Sequence, residues 1–359
     1  MTTTAGQAIE AEPQEVTRPA LPDQTAKLLG HLGGYVAVRT VGMGLRNGLI
    51  EALAAATGNG SESPGLMATE LATATNLDPF YVEVWCQAAV AVEVVERHGA
   101  CFALAPHMAT ALLDEESPAY IAGAFLVFER PDVFDRFEER FATGRRVWWD
   151  ECTAEFIDGV ARTGRSFYTR LVPGGLERVP GLTARLQDGA RILDLACGAG
   201  LGLARLARTY PSARLVGVDG DAHSLREAAR RLSDEGLTDR VELVQAAVED
   251  ITWTDEFDAV ISNISMHECR DIEKATASVY QALRPRGTFV ISDFPFPDSI
   301  EGLRTRAGRA MAGVQFFEAQ IDDQLLPVST YLELLPRHGF QAVTSFAITP
   351  MHAVTHGTK

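Results

Sequence analysis

A chain of 359 residues has room for two domains of roughly 150 residues each. Apolar residues make up 46% and charged residues 22%, which excludes a largely disordered chain. The formal net charge of −16 repels phosphate backbones and anionic lipid, so nucleic acid and membrane surfaces are poor partners. The five cysteines, Cys86, Cys101, Cys152, Cys197 and Cys269, form no CxxC pair. An odd, low count points to a reduced, cytoplasmic protein without a disulfide frame or structural zinc.

Residues 1–23 are rich in Thr, Ala, Glu, Gln and Pro, with no basic start and no apolar run. They are expected to form a disordered tail rather than a signal peptide. The longest aliphatic stretches, Ala88–Val95 and Ala119–Phe128, fall short of the roughly 18–20 residues that span a membrane. Residues 24–115 carry a helical pattern. A helix is predicted over Val36–Ala56, closed by Gly58-Asn59-Gly60, and a short one over Leu66–Thr75. Asp78 is placed to cap a further helix, Pro79–Arg97, which Gly99 ends. Cys101–Leu104 alternates like a short strand. Helix, turn, helix and small hairpin are the parts of a winged-helix unit.

Such a unit can read DNA, but its reading helix needs Arg and Lys. Here that helix holds Asp78, Glu83, Glu93 and Glu96 against a single Arg97, and it is apolar along Val82, Trp85, Ala89 and Val92. Packing between subunits, giving a homodimer, is the expected use of the unit. Residues 116–180 form a bridge rich in aromatics. Phe125, Phe128, Phe134, Phe137 and Phe141 recur at helical spacing, Trp148 and Trp149 lie in a loop, and Phe167 and Tyr168 lie on a helix over Cys152–Leu171. These aromatics either fill the core between two domains or roof a small-molecule pocket, since pockets form where domains meet.

From residue 181 to 359 strands and helices alternate. Arg191–Ala196 is a short apolar run typical of a buried parallel strand, and it leads into Cys197-Gly198-Ala199-Gly200-Leu201-Gly202 and a helix. The glycines allow a sharp turn and close approach of a ligand. A second strand, Arg214–Val218, ends at Asp219, where an acid can accept both ribose hydroxyls of an adenosine. Further strands at Val241–Gln245, Ala259–Ser262 and Thr288–Ser292 complete a doubly wound parallel sheet, whose ligand belongs at the carboxyl ends of the strands. Asp194, just ahead of the glycine loop, suits a ligand carrying a cationic amine and repels a pyrophosphate.

The pattern Asp194-x-x-x-Gly198-x-Gly200 with Asp219, together with Phe257-Asp258-Ala259-Val260 and Leu283-Arg284-Pro285-Arg286-Gly287, resembles the signature of class I S-adenosylmethionine-dependent methyltransferases. The resemblance covers residues 170–359. The front half is similar to that of small-molecule O-methyltransferases that dimerise through a winged-helix unit. The resemblance implies an α/β fold with a Rossmann-like seven-stranded sheet behind a mostly helical domain. It also implies S-adenosylmethionine as cofactor, with Gly198 and Gly200 under its methionine part, Asp194 near its amine and Asp219 on its ribose. Ala196, Gly220, Ala247, Val248, Glu249 and Asn263 would complete that site. Many members carry Gly-Asp at the end of the third strand, where this chain has Ala246-Ala247. Either Glu249 or Asp250 substitutes, or the backbone alone reads the adenine.

Met266-His267-x-x-x-Asp271 resembles the block whose histidine deprotonates the acceptor hydroxyl. An imidazole titrating near pH 6.5 is largely a free base at neutral pH, which suits that task. The alternatives are a structural histidine capping the loop and a residue kept in non-methylating relatives. Trp148, Trp149, Phe167, Tyr168, Met266, Phe294, Met311 and Phe316 are the candidate acceptor contacts. The last two lie in an insertion, Ser299–Asp323, of a kind that commonly covers the pocket in this family. His352 and His356 fall on a strand, too far apart to share a metal, so no metal site is expected. Cys197 has no histidine beside it and reads as loop packing. The leading expectation is methyl transfer to a hydroxyl of an aromatic or polyketide-like molecule. Carbon or nitrogen methylation, a cyclase or decarboxylase use of the fold, and a cofactor-sensing regulator are the alternatives.

Overall fold

The computed structural model describes residues 18–57 and 65–359. Its front half is helical, with α1 (Leu21–Arg46), α2 (Leu49–Thr57), β1 (Leu66–Met67), α3 (Ala68–Thr75), α4 (Pro79–Ala91), β2 (Val95–His98), β3 (Cys101–Leu104) and α5 (Met108–Leu112). The three strands form a small antiparallel sheet in the order β1-β3-β2. Asp78 caps α4 as expected, its carboxylate accepting from the amides of Phe80 (3.0 Å) and Tyr81 (3.3 Å). Leu53, Leu71, Trp85, Cys86 and Phe102 lie fully or almost fully buried in one core. That core makes the front unit a folded body of its own.

Several boundaries depart from the sequence reading. Helix α1 begins at Leu21, inside the expected tail, and the single helix expected over Val36–Ala56 breaks at Asn47-Gly48, where Gly48 is left-handed (φ 71°). Helix α4 stops at Ala91 because Val95–His98 belongs to a hairpin, not a helix. Glu93 turns the chain with a φ of 62°, and β-branched residues pack better on a pleated sheet. The predicted Gly58-Asn59-Gly60 closure and residues 1–17 lie outside the described residues.

The bridge comprises α6 (Ala122–Phe128), α7 (Pro131–Arg140), α8 (Ala154–Arg170) and a short α9 (Leu182–Gln187). Pro131 stands at the first turn of α7, where its missing amide costs nothing. The back half then runs β4 (Arg191–Leu195), α10 (Leu201–Thr209), β5 (Arg214–Asp219), α11 (Ala222–Asp234), β6 (Val241–Gln245), β7 (Phe257–Asn263), α12 (Ile272–Ala282) and β8 (Leu283–Asp293). The insertion folds as α13 (Ile300–Leu303) and α14 (Arg306–Glu318), and α15 (Val328–Arg337), β9 (Gln341–Thr349) and β10 (His352–Thr358) close the chain.

The seven strands lie in the order β6-β5-β4-β7-β8-β10-β9. β6 through β8 pair in parallel, and β10 runs antiparallel between β8 and β9. The expected doubly wound sheet is therefore present, closed by an antiparallel pair. Its two faces are buried under separate apolar clusters. One holds Ile192, Leu203, Leu206 and Leu215, the other Leu193, Val260, Phe289 and Leu334. Alternate residues of β4 point to opposite faces, so Ile192 and Leu193 serve different cores. The chain goes out from β4 to β6 and then returns to β4's other side with β7. The carboxyl ends of β4 and β7 thus flank the point where strand order reverses, the place where such sheets bind ligands.

Candidate active site

The loop after β4 is shaped by its backbone. Ala196, Gly198 and Gly200 have φ of 48°, 52° and 74°, so the chain turns through left-handed conformations before α10. A Cβ on Gly198 would meet nothing within 4 Å, whereas one on Gly200 would press at 2.9–3.0 Å on Ala228 of α11. The first glycine leaves open space above the loop and the second lets a helix approach beneath it. Cys197 is buried, and a Cβ on Gly217 of β5 would come within 2.9 Å of its sulfur. Burial, with the charges of Asp194 and Asp219, pushes its thiol well above the usual range, as a packing residue requires.

Asp194, next to last in β4, is fully buried, and neither carboxylate oxygen has a hydrogen-bond partner. Burial, and next the charge of Asp219, pushes its carboxyl up to about 8. A Cβ on Gly202 would sit 2.2 Å from the Tyr168 ring and 3.0 Å from an Asp194 oxygen, so Gly202 is what lets Tyr168 close on that acid. Asp219 ends β5 one strand away. Its two oxygens accept from the amides of Gly198 and Asp221, both at 2.8 Å, which ties the glycine loop to the second strand. Gly220 follows it without crowding: a Cβ there would meet only Ala246 O at 4.0 Å.

Two acids follow the third strand. Asp250 pairs with Lys274 (2.8 Å) and Glu249 accepts from the amide of Asp271 (3.2 Å), so both acids are turned onto α12. Ala247 stays exposed and Val248 buried at the strand's end, which leaves backbone as the polar surface there. Asn263 ends β7 buried. Its Oδ1 accepts from the Ser292 hydroxyl (2.6 Å), while its Nδ2 has no partner.

His267 lies in the turn after β7, only 6% exposed. Its Nδ1 is 2.9 Å from the Asp293 carboxylate at the end of β8, and Tyr331 of α15 donates its hydroxyl to that same carboxylate at 2.6 Å. Nε2 has no hydrogen-bond partner and lies 3.7 Å from Glu318 Oε2 and 4.0 Å from Glu268 Oε1. Burial pulls the imidazole's proton affinity down, but Asp293 and Glu318 outweigh it and raise it well above the ordinary value. These acids stabilise the imidazolium, the form the ring reaches once it has taken up a proton. Burial raises the carboxyl of Glu268 well above the usual range and that of Asp323, aided by Glu318, to about 8.

A cavity opens beside this cluster, between the bridge and the sheet. His267, Glu268 and Glu318 form its polar end, and Phe128, Phe167 and Phe294 its aromatic walls. The insertion does cover it, since α14 contributes Gly313, Val314, Phe317 and Glu318. Of the candidate acceptor contacts, Phe167 and Phe294 line this cavity, their rings 4.6 Å apart. The others do not. Trp148 stacks under Arg270 (3.9 Å), and Trp149 packs on Phe317 in a small satellite core. Phe316 joins Phe134 and Phe137, Met266 is sunk in the sheet's core, Met311 is buried without reaching the cavity, and Tyr168 belongs to Asp194. The bridge aromatics are thus divided between core and pocket, because a helix presents only one stripe to the cavity.

Sequence reasoning passes over Asp293, Glu318, Glu268, Asp323 and Tyr331. Asp293 carries a local signal, an acid ending the strand beside β7. Glu318 and Tyr331 lie 51 and 64 positions beyond His267, and only the fold joins them. His352 and His356 stand on β10 as expected. His352 is neutral, burial pulling its imidazole down to about 3, and its Nε2 is 2.7 Å from Ser292.

Residues 192–287 match the family described as "Methyltransferase domain". Trans-aconitate 2-methyltransferase of Azoarcus sp. (strain BH72) is 31% identical over 145 residues, 40% of this chain and 50% of that protein. The chain spans about half the length of the curated relatives it matches. The apo structure of the S-adenosylmethionine-dependent methyltransferase SibL superposes with a TM-score of 0.68 at 17% identity, covering 93% of this chain and 98% of that one. Human N-acetylserotonin methyltransferase, solved with S-adenosylmethionine, gives 0.65 at 15% identity, covering 95% and 99%. At such identities the structures establish the fold, and they do so over the helical front as well as the sheet.

Proposed function

We propose that this chain, which carries the class I methyltransferase fold, binds S-adenosylmethionine and transfers its methyl group to a small-molecule acceptor, a hydroxyl of an aromatic or polyketide-like compound. The observation that carries this reading is a pair of orphaned polar groups at the carboxyl ends of neighbouring strands. Asp194 is a buried carboxylate with no partner, and His267 Nε2 is a buried nitrogen with no partner at the polar end of an apolar cavity. A buried polar group costs free energy unless something satisfies it, so each marks a place for a ligand.

The residues fit the cofactor. Asp194 matches an ammonium, the space above Gly198 admits the methionine part, and Asp219 retains acceptor capacity for ribose hydroxyls. Ala247 and Val248 would border the adenine with backbone alone, and Ala196, Gly220 and Asn263 would complete the rim. When bound, the cofactor supplies a methyl group already activated on a sulfonium. The protein's part is to align the acceptor, remove its proton and exclude water. His267 takes the acceptor's proton on Nε2, and Asp293, held by Tyr331, orients the ring and stabilises the imidazolium that forms. Phe167 and Phe294 wall the acceptor, and α14 shuts the cavity from the insertion side.

The front unit supports a homodimer. Along α1, Leu28, Leu29, Leu32 and Tyr35 are each about two-thirds exposed, a row of apolar side chains that a partner copy would cover. Exposed Phe80, Tyr81 and Val84 on α4 suit packing better than a phosphate backbone, so nucleic acid is not a partner. Among the described residues no helix is long and apolar enough to cross a membrane, and five free cysteines suit a reduced cytoplasmic setting.

Replacing His267 by Ala tests the acceptor side. Turnover with a hydroxylated acceptor should fall about 100-fold or more, with affinity for S-adenosylhomocysteine unchanged. Unchanged turnover would move the reading to carbon or nitrogen methylation, or to a non-methylating use of the fold.

A further inference from the structure

We propose that His267 Nε2, Glu268 and Glu318 bind a divalent cation at the polar end of the cavity, and that the acceptor is a molecule able to complete its coordination with two adjacent oxygens. This goes beyond the sequence reading, which expects no metal, and it rests on the cavity being the acceptor site. The three side chains each offer one ligand atom, and these atoms lie within 4.8 Å of one another. Nitrogen and carboxylate ligands hold such a cation at about 2.0–2.2 Å, a spacing this group reaches when the carboxylates rotate inward.

Two of the three donors await a partner. Nε2 of His267 and Oε2 of Glu318 are buried orphans on residues 6% and 4% exposed, and both residues line the cavity. The ring is prepared for ligation, since Asp293 engages Nδ1 and turns Nε2 outward, as the outer partner of a metal-bound histidine does.

The donor set is one nitrogen and two carboxylates on one side, with the cavity on the other. Three protein ligands and an open side make a site that takes substrate, not a closed structural one. The mix suits Mn²⁺, Fe²⁺ or Zn²⁺ better than an all-oxygen calcium cage. An α-hydroxy acid or a catechol would fill the open positions through two oxygens, with its carbon frame against Phe167 and Phe294. With the cation in place Nε2 is a ligand instead of the base, and coordination would acidify the acceptor hydroxyl, whose proton is released to solvent.

The test uses the full chain stripped with EDTA and then titrated with Mn²⁺, followed by calorimetry and electron paramagnetic resonance. One Mn²⁺ should bind per chain, with affinity lowered at least tenfold in Glu318→Gln and in Glu268→Gln. Both variants should bind S-adenosylhomocysteine like the parent chain, which shows that they are folded. Adding oxalate to the Mn²⁺-loaded chain should change the Mn²⁺ spectrum. No stoichiometric Mn²⁺ binding, or binding that both variants retain, overturns the cation site, and an unchanged spectrum with oxalate overturns the chelating acceptor. Mn²⁺ binding by a chain that ignores S-adenosylhomocysteine would sink the methyl-transfer reading and leave the cation site standing.

Discussion

Asp194 is the residue on which the cofactor reading turns. In the folded chain its carboxyl titrates near 8 against the usual 3.8, chiefly from burial. Between those pH values the folded chain holds a proton that the unfolded chain has lost, so ligand-free stability falls as pH rises from about 4 to about 8. Asp194→Asn removes that penalty. Thermal unfolding at pH 8 should show the variant more stable by ~2 kcal/mol, while calorimetry shows S-adenosylhomocysteine binding weakened at least tenfold. In the parent chain, affinity for the ammonium-bearing ligand should rise about tenfold or more from pH 6 to pH 8 as the carboxylate forms. A flat profile would mean that Asp194 does not meet the amine. Asp293 is a positioning residue, and its role separates kcat from binding. Asp293→Asn should lower kcat about 100-fold without changing the KM for S-adenosylmethionine, and Asp293→Glu should restore part of it. The first partners of the site were legible in the sequence because they are local: Asp194, Gly198 and Gly200 within one turn, and His267 in a motif. Glu318 and Tyr331 were not, because a carboxylate 51 positions away becomes a neighbour only through the packing of α14 over the sheet.

At the scale of elements, the sheet was readable because its central strands are buried on both faces and therefore carry short apolar runs, Ile192-Leu193 and Ala259-Val260-Ile261 among them. The front helices were harder. Val95–His98 continues the helical spacing of α4, and only its pairing with Cys101–Leu104 makes it a strand. Tertiary pairing overrode the local period there. The helix following the glycine loop depends on one small residue. At Gly202, any side chain must displace the Tyr168 ring and crowd Asp194. Gly202→Val should destabilise the chain by about 1–3 kcal/mol in chemical denaturation and weaken cofactor binding. A variant that binds as well as the parent would show that Tyr168 and Asp194 tolerate separation.

At the scale of the molecule, the net charge of −16 and the apolar row on α1 point the same way, toward a protein that meets a copy of itself and small molecules rather than nucleic acid. Leu28→Asp with Leu32→Asp should convert a dimer to a monomer in light scattering, and a parent chain that is already monomeric would remove the dimer from the account. The cavity lies between the bridge and the sheet, so the division of the chain near residue 180 separates two walls of one pocket. The central claim is that the carboxyl end of this sheet holds S-adenosylmethionine. Titration calorimetry of the purified chain with S-adenosylhomocysteine measures it most directly. The account predicts one site per chain with micromolar affinity or better, abolished or weakened at least tenfold by Asp194→Asn. A folded chain that gives no binding heat with either S-adenosylhomocysteine or S-adenosylmethionine would contradict it.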